Sequence, residues 1–94
     1  MPLKEVRAKI EKLDVQILNL IEKRTALAKE VLDAKKSEGK LINDIDQNKM
    51  VLERAANAAT EKGLDGEEVK RIFEILIQMN IERQHELSGE GNLP

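Results

Sequence analysis

Ninety-four residues make one small domain with a limited core of its own, and this chain has no Cys, Trp or Tyr, one Phe, 36% charged residues and a formal net charge of -2. That composition excludes a disulfide framework and thiolate chemistry, and it offers neither the basic face nor the aromatic platforms of a nucleic-acid binder. Few Gly and Pro and almost no aromatics point to an all-α protein. No uninterrupted apolar run approaches a membrane span and the N-terminus has no signal-peptide core, so a soluble, cytoplasmic chain without membrane contact is expected.

Leu3, Val6, Ile10, Leu13, Ile17, Leu20, Leu27, Val31 and Ala34 recur at steps of three and four, which predicts one helix over residues 3–38. Such a helix is about 50 Å long at its standard rise, whereas a compact domain of this size has a radius of gyration of about 12 Å. It therefore overhangs a monomeric globule, and its far half is expected to bury against a second copy in an intertwined homodimer. A plain coiled coil is the alternative that periodicity leaves open. One step of the stripe is wrong: counting sevens from Leu3 gives Ile10, Ile17 and then Arg24 before the pattern resumes at Val31. Lys35 lies about 20° from the line of Arg24. Burying these cations unpaired is costly, so they call for an acidic protein partner, such as Glu38 for Lys35, or for an anionic ligand.

Gly39 breaks the pattern, and Asp44 with Gln47 reads as a capping box opening a second helix over 45–62. Its apolar face is Ile45, Leu52, Ala55, Ala56 and Ala59, interrupted by Asn48 and edged by Gln47. Gly63 fits a left-handed stop, and Asp65 with Glu68 opens a third helix over 66–87. Val69, Ile72, Phe73, Leu76 and Leu87 are expected to face inward there. Asn80 and Gln84 stand on the same line, where aliphatics would continue it. The architecture is thus three helices, one very long and two shorter, forming a single domain over 1–87 with a loose tail over 88–94.

Taken alone, Asn48 or Asn80 reads as a register device and Gln84 as a helix-end residue reaching solvent. Together with Arg24 and Lys35, on converging faces with no carboxylate on the same lines, they describe a donor-rich cavity suited to an anion. Arg7 lies about 25 Å along the helix from Arg24 and about 100° around it, so one protomer cannot aim both at one small ligand. In an antiparallel dimer Arg7 of the partner subunit reaches the later half of this chain; alone, Arg7 reads as an exposed cation. His85 lacks ligand-type neighbours and is expected to be exposed and non-catalytic. No phosphate loop, triad or metal constellation occurs in the sequence, so neither metal nor cofactor is expected.

Val6-Arg7-Ala8-Lys9-Ile10 with Leu13-Asp14, Glu22-Lys23-Arg24, Leu27-Ala28, Ala34-Lys35, Asp44-Ile45-Asp46, Leu52-Glu53-Arg54, Gly63-Leu64-Asp65, Ile72-Phe73 and Gln84 together resemble the all-helical class of chorismate mutase. The resemblance covers residues 3–87. It implies an intertwined dimer of three-helix protomers with two active sites, and the Claisen rearrangement of chorismate to prephenate in aromatic amino-acid biosynthesis. It also implies that Arg24 and the partner's Arg7 clamp the substrate carboxylates and that Lys35 and Gln84 donate to the ether oxygen. The backbone around Asp44 would meet the ring hydroxyl, and Asn80 would stand near a carboxylate. The chain departs from the family at Gln47 and Asn48, where Arg and Glu are usual, which implies weaker ground-state binding more than slower chemistry. An isochorismate-pyruvate lyase of the same fold, or a dimerisation or regulatory module that has lost activity, are the other readings this departure leaves open.

Overall fold

The computed structural model describes residues 2–89. Of the tail expected over 88–94 it describes Ser88, which closes the last helix, and Gly89; residues 90–94 lie outside the described residues. The described chain is all-α: α1 Leu3–Ala26, α2 Ala28–Glu38, α3 Ile45–Glu61 and α4 Gly66–Ser88.

The single helix expected over 3–38 is present as α1 and α2, interrupted at Leu27, which keeps right-handed helical torsions of φ -71 and ψ -8. The carbonyl of Arg24, at the interruption, accepts a hydrogen bond from Asn80 Nδ2 of α4 at 3.2 Å. A side chain inserted into the i→i−4 ladder is a known cause of such local breaks. Periodicity within one helix could not reveal it, because the disturbing group arrives from another.

The other boundaries follow local chemistry. Asp44 accepts the Gln47 backbone N–H at 3.3 Å, and Asp65 accepts those of Glu67 and Glu68 at 3.0 and 3.2 Å. Caps of this kind contribute about 1 kcal/mol each. Gly63 ends α3 at φ +76, a backbone state that side chains with a Cβ resist. Gly66 then lets α4 begin hard against α3, since a Cβ there would lie 2.9 Å from Thr60 Oγ1 and 3.0 Å from the Ala56 carbonyl oxygen.

α3 and α4 pack along one another, and α2 lies on α4. The buried apolar residues are Ala28 and Leu32 of α2 with Val51, Ala55 and Ala59 of α3. Small side chains dominate, which allows close helix approach. Leu52, Ala56, Val69, Phe73 and Leu76 are half-buried as their stripes predict, but Ile45, Ile72 and Leu87 are exposed in the protomer. On the first helix the expected line is shifted by one residue: Ala28 and Leu32 pack inward, while Leu27 and Val31 flank a hollow and Ala34 is exposed.

The first part of α1, residues 3–20, stands clear of this core. Every residue from 3 to 20 is exposed, including Leu13 at 56% and Leu20 at 63%. The protomer extends 54 Å with a radius of gyration of 16.5 Å, well above the value of about 12 Å for a compact domain of this length. An uncovered apolar row of this extent marks an interaction surface. No helix among the described residues is long and apolar enough to cross a membrane.

Candidate active site

A hollow of about 250 Å³ opens where the four helices meet. Arg24 and Leu27 enter it from the junction of α1 and α2, and Val31 and Lys35 from α2. Asp44, Gln47, Asn48 and Val51 come from the start of α3, and Ile77, Asn80, Ile81 and Gln84 from α4. Seven sequence-predicted residues, Arg24, Lys35, Asp44, Gln47, Asn48, Asn80 and Gln84, therefore share one space. Arg7 does not: it sits on the exposed part of α1. Sequence reasoning missed the apolar wall of Val51, Ile77 and Ile81. The signal was available, since 77, 81 and 84 share a helical face and Val51 lies one turn from Asn48.

The polar groups form a connected series. Arg24 Nη1 donates to the Leu76 carbonyl at 2.9 Å, so α4 holds Arg24 by its guanidinium as well as by its carbonyl. Asn80 Oδ1 accepts from Gln84 Nε2 at 2.6 Å, and Gln84 Oε1 accepts from Lys35 Nζ at 3.1 Å. Lys35 Nζ also donates to the Ile42 carbonyl in the loop before α3. Gln84 is only 2% exposed, so the expectation of a helix-end side chain in solvent fails in favour of the cavity. Across the hollow, Asn48 Nδ2 donates to Asn43 Oδ1 at 2.8 Å.

Neither cation is neutralised. Among the described residues no carboxylate lies within ion-pair distance of Arg24 or Lys35, and the Lys35–Glu38 pairing considered from sequence does not form. Asp44, the carboxylate in the lining, caps α3 and lies 4.0 Å from Lys40. Burial pulls the Lys35 pKa below the usual lysine value, with Asp44 acting in the opposite direction. Burial likewise lowers that of Arg24, and the nearby Arg54 cation adds to the effect. The cost of holding charge in a partly dry site falls when an anion enters. The site thus offers positive charge and directed N–H donors against an apolar wall, which suits a small dianion held in one conformation.

A protein-family model described as chorismate mutase type II matches residues 6–85. The chain is similar to a chorismate mutase of Methanocaldococcus jannaschii, 38% identical over 78 residues that cover 83% of this chain and 79% of the relative. It is also similar to the bifunctional chorismate mutase/prephenate dehydratase of Escherichia coli K12, 34% identical over 86 residues, 92% of this chain and 22% of the relative. The corresponding bifunctional protein of Buchnera aphidicola is 27% identical over 81 residues. The chain spans about a fifth of the length of these bifunctional relatives, 22% and 21%.

Proposed function

The chain belongs to the type II chorismate mutase family, and we propose that it carries out the Claisen rearrangement of chorismate to prephenate in the hollow between its helices. It is an isomerase of aromatic amino-acid biosynthesis. The observation that carries this reading is the convergence of Arg24, Lys35 and Gln84, from separate helical segments, on one hollow in which neither cation has an acidic partner among the described residues.

The chemistry matches that inventory. The rearrangement is a concerted shift of electrons within one molecule and requires no nucleophile or proton transfer. The protein has to hold the compact, chair-like conformer and stabilise charge on the ether oxygen as its carbon–oxygen bond breaks. Arg24 binds one carboxylate. Lys35 Nζ has three hydrogens and gives two of them to Ile42 and Gln84, leaving one for the ether oxygen. Gln84 gives one Nε2 hydrogen to Asn80 and keeps the other for the same oxygen. The backbone at Asp44 meets the ring hydroxyl. Asn48, whose amide nitrogen is engaged by Asn43, keeps its Oδ1 as an acceptor for that hydroxyl. Gln47 brings no charge where an arginine is usual, so substrate is held less tightly.

The working form in this reading is a cytoplasmic homodimer. The bare apolar row of α1 supports it, because a second copy covers that row and brings Arg7 of the partner subunit to the other carboxylate. The test is purified protein with chorismate: loss of chorismate absorbance with prephenate as the product, at a rate proportional to protein, is expected. Conversion no faster than in buffer sinks the proposal, and release of pyruvate from isochorismate instead would assign the lyase reaction.

A further inference from the structure

The hydrogen-bond polarity along the α4 wall is dictated from its two ends. An ammonium only donates, so Gln84 must turn Oε1 toward Lys35. A backbone carbonyl only accepts, so Asn80 must turn Nδ2 toward Arg24. The two amides then meet with opposite faces, Gln84 Nε2 donating to Asn80 Oδ1 at 2.6 Å. Reversing either one sets donor against donor or acceptor against acceptor at both of its contacts. Because Gln84 is 2% exposed, water is poorly placed to relieve such a mismatch.

We infer that Asn80 is a positioning residue that acts through Gln84. By taking one Nε2 hydrogen, it fixes the plane and polarity of the Gln84 amide, so that the other Nε2 hydrogen points into the hollow. Asn80 thus belongs to the wall that aims the donor, its oxygen and one of its two Nδ2 hydrogens committed to protein partners. The inference rests on the proposed rearrangement for the identity of the substrate.

A double-mutant cycle on the full chain separates the roles. Alone, Asn80→Ala is expected to lower kcat about tenfold, the value of one net hydrogen bond, with KM changed less than about twofold. Alone, Gln84→Ala lowers kcat about a hundredfold. In the Gln84→Ala background, Asn80→Ala then costs less than about twofold further, because the group it positions is gone. Asn80→Ser, which keeps one acceptor and one donor, should recover part of kcat, and it replaces Asn80→Ala throughout the cycle if the alanine variant does not fold. Effects that multiply in the double variant, or a KM increase at unchanged kcat, overturn the inference while leaving the reaction intact. Absence of chorismate turnover in the parent protein overturns the reaction itself, and the Asn80 role with it.

Discussion

Replacing Lys35 with Met separates what this side chain does for the reaction from what it does for the fold. Met keeps the apolar stem and removes the donor to Gln84 Oε1 and to the Ile42 carbonyl. A buried acceptor left without its donor costs about 1–3 kcal/mol, and Gln84 at 2% exposure is such a case. The substitution also removes an ammonium whose burial is unfavourable, as its lowered pKa records, and this works in the other direction. The two effects oppose one another, so Tm should fall by less than loss of the donor alone would cause. On the barrier there is no such offset. Loss of a preorganised donor at a developing oxyanion costs about 3–4 kcal/mol, so kcat should fall about 100- to 1,000-fold. The assay is chorismate consumption at saturating substrate, paired with thermal melts at matched protein concentration, since association makes Tm concentration-dependent. A folded variant whose kcat stays within about threefold of the parent, less than 1 kcal/mol of barrier, would refute the electrostatic role.

Three further outcomes follow from the same geometry. The folded-state pKa of Lys35 lies below its unfolded value, so the unfolded chain binds the extra proton between the two and the charged lysine is a folding cost, relieved as pH rises through the folded-state pKa. As pH rises toward the ordinary lysine range, kcat should therefore fall while the parent's Tm rises relative to Lys35→Met; parallel changes in the two would contradict the assignment. Gln47→Arg combined with Asn48→Glu should lower KM about tenfold through charge-assisted contacts, with kcat little changed, as read by steady-state kinetics. Leu13→Lys, placed on the uncovered row of α1, should give a monomer in sedimentation velocity, where the parent is expected to be a dimer, and abolish turnover; an active monomer would refute the shared site.

Much of the fold was legible because its signals are local. The Asp44 and Asp65 caps and the Gly63 stop placed α3 and α4 within one residue of the observed ends. The polar interruptions at Arg24, Lys35, Asn48, Asn80 and Gln84 were legible because they break aliphatic stripes on converging faces with no carboxylate on the same lines, and all five line the hollow. What escaped depends on pairings between elements. The break at Leu27 is associated with Asn80, fifty-six residues from Arg24 in sequence. The exchange of Leu27 and Val31 for Ala28 and Leu32 as packed residues reflects how α2 rotates against α4, which one helix's periodicity does not encode. Exposure of Ile72 and Ile45 likewise depends on neighbours outside their own helices.

Subunit complementation tests the central claim that one substrate is held by cations from two chains. Arg7→Ala and Arg24→Ala are each expected to form nearly inactive dimers. When the two are unfolded together and refolded, half the dimers are mixed, and each mixed dimer has one site with Arg24 from one chain and Arg7 of the partner subunit intact, so activity should return to about a quarter of the parent's. Mixtures no more active than the separate variants, with mixed dimers demonstrated by mass spectrometry, would contradict it.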